Sequence, residues 1–147
     1  MVNIVQAEIV SLPIVLIESP YQDGDRATSL RYLAWCEYDS ASRGEAPISS
    51  HGNCTIYWPE DEEHRAKGFA WRDAIRKVCS HVVYYVDLGM SSGMYEAEKR
   101  DISTRVKTLL RRLPEDLLSK FRAYSHPPGS MQRTSVALPV NSSIFGG

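Results

Sequence analysis

The sequence predicts an α/β domain built on a small parallel sheet, and two observations carry this prediction. Segments rich in apolar and β-branched residues alternate along the chain with segments of helical period, as in successive β-α-β units. The first apolar segment is continuous rather than alternating, which is typical of a strand buried on both faces of a parallel sheet. Short connections with right-handed crossovers complete the expected topology.

The first half of the chain is predicted to contain two strands and two helices. Leu30 and Leu33 recur at helical spacing in the first helix, and Pro59 with the acidic residues after it opens the second. The predicted bounds are 13–21 for the first strand, 26–43 for the first helix, 46–50 for the second strand, 51–58 for a loop, and 59–79 for the second helix. The residues expected to form the buried stripe of that second helix are Ala66, Phe69, Ala70, Ile75 and Val78.

The second half is predicted to add two more strands and two more helices. The segment HVVYYVDL has the β-branched and aromatic content of a central strand. The segment TRVKTLL has two interpretations: it continues the preceding helix, or it forms a short fourth strand, which the alternation of Val106 and Thr108 favours. The predicted bounds are 81–88 for the third strand, Ser92 or Gly93 to about Arg100 for the third helix, 104–110 for the fourth strand, and 114–124 for the fourth helix.

Length and composition fit one domain of ordinary size. Of the 147 residues, 13–124 are predicted to form the domain, 1–12 an N-terminal extension, and 125–147 a flexible tail. The net charge of -1 gives no attraction to duplex nucleic acid, and the three widely spaced cysteines fit reduced thiols. No apolar run approaches the ~20 residues of a membrane span. We therefore expect a cytoplasmic protein with neither duplex nucleic acid nor a membrane as partner, and nothing in the sequence indicates a metal or another cofactor.

Three predicted loops are the places to look for a site. Parallel α/β sheets bind ligands beyond the carboxyl ends of their strands. The loops at 18–25, 51–58 and 87–93 are expected to meet at that edge.

The third of these loops, DLGMSSG, is rich in small residues. Gly89, Ser91, Ser92 and Gly93 lie between Asp87 and the predicted start of a helix. Backbone N–H groups and hydroxyls at a helix start can bind an anion or a sugar. The same residues also serve as an ordinary cap and turn. Spacing alone leaves both interpretations open.

The first two loops supply Glu18, Ser19, Pro20, Tyr21 and His51 as candidate binding residues. A carboxylate that ends a buried strand needs a partner, and an ion pair of Glu18 with Arg26 or Arg31 is an equal alternative to a ligand. The ring of Tyr21 suits stacking on a base. His51 is a candidate for acid-base chemistry, for which an imidazole side chain is suited, although a loop histidine is more often only a hydrogen-bonding residue.

Four segments in order carry a resemblance to a known family: IVLIESPY, RYLAWCEYDSASRGEAPISSH, RAKGFAW and VVYYVDLGMSSGM. Together they resemble an uncharacterised, largely phage-associated family within the nucleoside 2-deoxyribosyltransferase-like superfamily, whose members carry similar SPY, RDSLxRGEAPxxSH and DLGxSxGM segments. The similarity covers residues 14 to about 113. The ordered combination is more specific than any one segment.

The resemblance implies a flavodoxin-like three-layer sandwich, in which four or five parallel strands have helices on both faces. It also implies a nucleoside or nucleotide pocket at the strand ends and a homo-oligomer in which neighbours complete each pocket. The location it implies is the cytoplasm, which is the host cytoplasm if the chain is phage-encoded. Ser92, Gly93 and Met94 are expected to bind the phosphate or sugar of the ligand.

Catalysis in the characterised members of that superfamily uses a glutamate that attacks the anomeric carbon. It stands four residues after the glycine that opens the helix following the third strand, and here that position holds Ala97. Glu96 is the acidic residue nearest in direction, so it is the candidate nucleophile. Asp73 matches the spacing of a pocket aspartate on the preceding helix and is the second catalytic candidate. A surface ion pair of Asp73 with Arg76 or Lys77 is an equal alternative.

Three functions remain open at the level of sequence. The leading hypothesis is a nucleoside- or nucleotide-binding protein that also acts as an N-glycosidase or deoxyribosyltransferase on a nucleotide. The alternative is a non-catalytic phage protein that sequesters or senses a nucleotide, which Ala97 favours. The third is a small scaffold protein that binds partners through its helix faces and tail.

Overall fold

The structure, a computed structural model, describes residues 11–21 and 25–129. Residues 1–10 and 130–147 lie outside the described part, as do residues 22–24. Most of the predicted N-terminal extension and most of the predicted tail therefore lie outside it.

The described residues form four strands and five helices. Their bounds are β1 (Ile14–Glu18), α1 (Arg26–Ser42), β2 (Ala46–Ile48), α2 (Ser50–Tyr57), α3 (Glu62–Arg76), β3 (His81–Tyr85), α4 (Ser92–Thr104), β4 (Thr108–Arg111) and α5 (Glu115–Arg122). All neighbouring strands pair in parallel, in the order β2-β1-β3-β4. The predicted α/β fold with a small parallel sheet is confirmed, and the layers match a flavodoxin-like three-layer sandwich.

Helices cover both faces of the sheet, whose centre is formed by β1 and β3. One core joins Val15 and Ile17 to side chains of α1 and α5. The other core joins Leu16 to side chains of α3 and α4. Because successive side chains of a strand point to opposite faces, Glu18 projects to the same side as Leu16. This alternation decides which polar residues at a strand end face α3 and α4.

The helix α2 occupies the segment that was predicted to be a loop, so His51 lies in a helix. The segment SHGNCTIY contains glycine, polar and β-branched residues, which are weak helix formers. Packing overrides this preference. A Cβ atom on Gly52 would lie 2.5 Å from Ser49 Oγ and 3.2 Å from Leu33 Cδ2. The absence of a side chain at Gly52 therefore lets α2 approach α1.

The predicted fourth strand at 104–110 begins too early. The helix α4 continues to Thr104, and β4 begins at Thr108. Thr104 is accommodated in the helix because its hydroxyl donates to the carbonyl of Arg100 at 3.0 Å. Arg105 then ends α4 in the left-handed conformation, with φ of 58°. The helical continuation and the strand, considered as alternatives from the sequence, occur one after the other.

The inward face of α3 also differs from the predicted apolar stripe. Ile75 is buried as expected, but Ala66, Ala70 and Val78 are exposed. Arg72 is buried instead, with 2 % of its surface exposed. The apolar pattern identified only part of the buried face, because a charged residue, Arg72, occupies another part of it.

The first residues of the predicted tail pack on the domain. The indole N–H of Trp35 donates to the carbonyl of Ser125 at 2.9 Å, and Pro127 is buried. The packed part of the chain therefore extends beyond residue 124.

A cluster around Glu45 ties β4 to the residue that precedes β2. Two nitrogens of Arg111 lie 2.7 and 3.2 Å from the Glu45 carboxylate, which also accepts from Ser40 at 2.8 Å and lies 3.2 Å from His81 Nε2. Burial alone would raise the pKa of the Glu45 carboxyl, but the hydrogen bonds from Arg111 and Ser40 outweigh it and lower the pKa to about 2. The ionised form of Glu45 is thus favoured by folding.

Acid should weaken the domain through this carboxylate. The ordinary pKa is 4.5 and the folded value is about 2, so the stabilisation is complete above about pH 4.5 and is lost as the pH falls toward 2. A pKa difference of this size corresponds to at most about 3 kcal/mol. Urea unfolding of the parent and of Glu45→Gln at several pH values measures it. The stability gap between the two proteins should narrow as the pH falls; a constant gap would contradict the assignment.

Candidate functional site

A cleft of about 420 Å³ opens at the carboxyl end of the sheet. Its walls come from the end of β1, from α2 and α3, and from the first turn of α4. Glu18, Tyr21 and His51 line it from the β1 and α2 side, and residues 91–94 line it from the α4 side. The structure therefore brings together seven of the candidate binding residues in one cavity, at the edge where a parallel sheet is expected to bind.

Asp87 and Gly89 do not line the cleft. The carboxylate of Asp87 accepts from the Tyr32 hydroxyl at 2.6 Å and from the backbone N–H of Leu113 at 3.0 Å. Asp87 follows the face of β3 that packs on α1 and α5, as strand alternation requires. Gly89, with φ of 83°, closes a turn onto the carbonyl of Val86. Both residues shape the loop before α4 without facing the cavity.

Ser19 and Pro20 are buried behind the cleft rather than in its wall. The carbonyl oxygen of Ser19 lies 3.0 Å from Nε2 of His51 and fixes the position of that ring. The His51 ring lies 5.6 Å from the ring of Tyr21, whose hydroxyl donates to Glu60. Ser19 therefore acts on the cavity indirectly, by positioning His51.

The two candidate catalytic carboxylates also lie outside the cleft lining. Glu96 is exposed, whereas Ala97, 1 % exposed, lines the cavity. Asp73 lies 3.1 Å from a guanidinium nitrogen of Arg100 and 3.2 Å from one of Arg76. The ion pair with Arg76 that the sequence left as an alternative is therefore present.

A buried guanidinium forms the floor of the cleft. Arg72 Nε donates to Glu18 Oε1 at 2.5 Å, and its two terminal nitrogens donate to Asp101 at 2.9 and 2.7 Å. Arg72 also donates to the Tyr84 hydroxyl at 3.2 Å, and that hydroxyl donates to Asp101. The network joins α3 to the ends of β1 and β3 and to α4.

The charges of this network reinforce one another. Burial alone would lower the pKa of the Arg72 guanidinium, but hydrogen bonds and charge from Asp101 and Glu18 raise it above its ordinary value. Burial, together with the hydrogen bond to Asp101, raises the pKa of the Tyr84 hydroxyl. At physiological pH the floor therefore holds a fixed positive charge between two carboxylates, with a neutral phenol beside it.

The first turn of α4 is both a cap and an open surface. The Ser91 hydroxyl accepts from the backbone N–H of Met94 at 3.3 Å, so the capping interpretation is confirmed for Ser91. Gly93 leaves the turn uncovered. A Cβ atom there would have Arg65 Nη2 and Ser91 Oγ as its nearest neighbours, both at 3.9 Å. A positive helix end and a guanidinium thus lie next to each other on the cleft wall.

Sequence reasoning missed several residues of the cleft. Arg72 interrupts the apolar face of α3, which is the signal that could have identified it. His64, whose ring Nδ1 lies 2.6 Å from Asp61 Oδ1, and Trp58, whose ring lies 6.0 Å from the His64 ring, also line the cavity. Their positions depend on α2 ending where α3 begins, and α2 itself was not predicted.

The fold and this cleft define an α/β parallel-sheet domain with a cavity at its strand ends. The chain belongs to the family described as a domain of unknown function, DUF7768, which matches residues 13–109. The match covers the sheet as far as Leu109 in β4 and all the residues that line the cleft. No curated protein and no solved structure matches the chain.

None of the helices within residues 11–21 and 25–129 has both the length and the apolar character needed to cross a bilayer. In the same ranges, no three side chains of His, Cys, Asp or Glu are grouped so that they could hold a metal ion.

Removing the floor guanidinium should strongly destabilise the protein. Arg72→Met leaves the buried carboxylate of Glu18 without its cation and leaves Asp101 with Arg76 alone, whose guanidinium lies 3.6 Å away, and a broken buried pair costs about 3–5 kcal/mol. Arg65→Met, on the exposed side of the same helix, is the matched control and should change stability by no more than about 0.5 kcal/mol. Urea unfolding measures both. Equal effects of the two substitutions would show that the network is not a stabilising element.

Proposed function

We propose that the cleft binds a nucleoside or nucleotide. The observation that supports this most directly is the combination of aromatic rings on one wall with a helix N-terminus and a guanidinium on another. Tyr21 and Trp58 provide ring faces suited to a base. The first turn of α4 with Arg65 provides N–H groups and positive charge suited to a phosphate. The cavity is within the ~300–1,000 Å³ range of small-molecule sites.

The resemblance to the nucleoside 2-deoxyribosyltransferase-like superfamily supports the same ligand class. The SPY and DLGxSxGM segments that carry it contribute Tyr21 and residues 91–94 to the cleft lining. Within this proposal, the protein forms a homo-oligomer and acts in the cytoplasm, of a phage host if the chain is phage-encoded. Sedimentation velocity of the full chain tests the oligomer.

Two activities fit such a cleft. A non-catalytic binding protein that sequesters or senses the nucleotide is favoured because Ala97 lines the cavity and Glu96 does not. An N-glycosidase or deoxyribosyltransferase needs a carboxylate near the sugar, and Glu18 is the one acidic residue that is both buried and in the cleft wall among the described residues.

Bulk at the start of α4 should block binding. Gly93→Val should fold, because its Cβ meets no atom closer than 3.9 Å outside its own helix backbone, while its methyl groups cover the N–H groups of the first turn. We expect at least about a tenfold loss of affinity for any nucleoside monophosphate that binds the parent.

Isothermal titration calorimetry with the nucleosides and nucleoside monophosphates of the common bases measures this effect. Ser103→Val, an equally β-branched change at the exposed far end of the same helix, is the control and should bind as the parent does. If Gly93→Val binds with the affinity of the parent, the first turn of α4 is not part of the binding site. If the parent binds none of the nucleosides and nucleoside monophosphates, the proposed function is wrong.

Base release separates the two activities. Chromatography of each nucleotide incubated with the protein detects free base. Because Glu96 is exposed and outside the cleft, we expect Glu96→Gln to leave both affinity and any base release unchanged. A large loss of release with retained affinity would instead establish Glu96 as the nucleophile.

A further inference from the structure

The two oxygens of Glu18 have different surroundings. Oε1 accepts the 2.5 Å hydrogen bond from Arg72. Oε2 makes no hydrogen bond to any described residue. It is also not one of the described polar atoms that are fully buried without a hydrogen-bond partner. The side chain is only 4 % exposed, and it lines the cleft. Glu18 is therefore a carboxylate in the cleft wall with one oxygen, Oε2, that no described residue occupies.

The hydrogen bonds that hold Arg72 also restrict the orientation of the Glu18 carboxylate. Arg72 is held on Asp101 by two hydrogen bonds of 2.9 and 2.7 Å and on the Tyr84 hydroxyl by one of 3.2 Å. A guanidinium held at three points cannot rotate away from Glu18. The carboxylate consequently has little freedom to turn Oε2 out of the cleft.

The other acidic residues of the cleft wall differ from Glu18 in exposure. Glu60, Asp61 and Glu62 are all exposed to solvent. Glu60 accepts from Tyr21, and Asp61 caps α3 by accepting from the backbone N–H of His64 at 2.8 Å. A solvated or occupied carboxylate discriminates weakly between ligands. A desolvated, ionised acceptor discriminates strongly, because a ligand without a donor leaves it unpaired.

Topology indicates which part of a ligand meets Glu18. The strand β1 lies between β2, which α2 follows, and β3, which α4 follows. A ligand that extends from the aromatic wall at α2 to the first turn of α4 has its middle above the end of β1. In a nucleotide that middle is the sugar, with the base and the phosphate on either side. An ionised oxygen at this place accepts from a hydroxyl and repels a phosphate.

We propose that Glu18 determines sugar specificity: Oε2 accepts a hydrogen bond from a sugar hydroxyl of the ligand, and Asp101 acts through Arg72 as a positioning residue. This inference rests on the proposed nucleotide-binding function and extends it to the class of sugar. The ligand must carry a free hydroxyl on its sugar, so 2′,3′-dideoxy nucleotides are poor ligands.

The test compares the four common ribonucleoside 5′-monophosphates with their 2′,3′-dideoxy counterparts by isothermal titration calorimetry. We expect the parent to bind at least one ribonucleotide about tenfold or more tightly than its dideoxy counterpart, the discrimination of a site built around a charged acceptor. Glu18→Gln should reduce this ratio to below about threefold, because an amide nitrogen or a neutral oxygen replaces the ionised Oε2. Glu18→Asp keeps the charge beside Arg72, but its shorter side chain moves the carboxylate oxygen away from the ligand. It should therefore also reduce the affinity ratio, and it replaces Glu18→Gln in the test if that variant folds poorly. Glu98→Gln, outside the cleft, is the matched control and should keep the parental ratio.

Each outcome is decisive. Ribonucleotide binding whose discrimination survives both Glu18 substitutions overturns the inference and leaves the proposed function intact. Failure of the parent to bind any nucleotide overturns both. Asp101→Asn should lower the ratio as well as the melting temperature; a lower melting temperature with the parental ratio would show that Asp101 is structural only and would overturn its positioning role.

Discussion

The buried guanidinium of Arg72 is the interaction on which the candidate site depends. Two carboxylates, Glu18 from β1 and Asp101 from α4, are both buried, and burying a carboxylate without a cation beside it is costly. Arg72 supplies that cation from α3 with a donor for each of them. The geometry of the ion pairs that Arg72 forms with Glu18 and Asp101 fixes the distance of α3 and α4 from the sheet. It therefore also fixes the width of the cleft above the sheet. Stability and the shape of the cavity are consequences of the same contact.

The parallel sheet imposes the second constraint. All four strands point the same way, so β1 and β3 deliver the following residues to one edge, while the alternation of side chains sorts them between two faces. Glu18 continues the face of Leu16 and reaches the cleft. Asp87 continues the face of Tyr85 and holds Tyr32 instead. Two acidic residues at the ends of neighbouring strands thus have different roles. Their positions in the sequence, each next to a loop, do not distinguish these roles.

The fold was predictable because its signals are local, whereas much of the site was not. Continuous apolar strands and helical periods predicted the sheet and four of the helices. The helix α2 was missed because its own residues are weak helix formers, whereas the close approach to α1 that Gly52 allows is visible only in the fold. Arg72 was missed because its interruption of the apolar face of α3 could not be recognised as a buried charge before its partners, Glu18 and Asp101, were known. The segment at 91–94, which is the cap and first turn of α4, was found because cap and turn residues are determined by local backbone geometry.

The environment of Glu18 bears on the choice between binding and catalysis. Ala97 and Asp101 lie on the buried face of α4, one turn apart, so the carboxylate on that face is held in the Arg72 network below the cavity and a methyl group lines the wall. The carboxylate that the cleft presents therefore comes from β1. Its charge is partly neutralised by Arg72, which lowers its power as a nucleophile but leaves it a strong hydrogen-bond acceptor. A cleft built in this way is better suited to selecting a ligand than to attacking one.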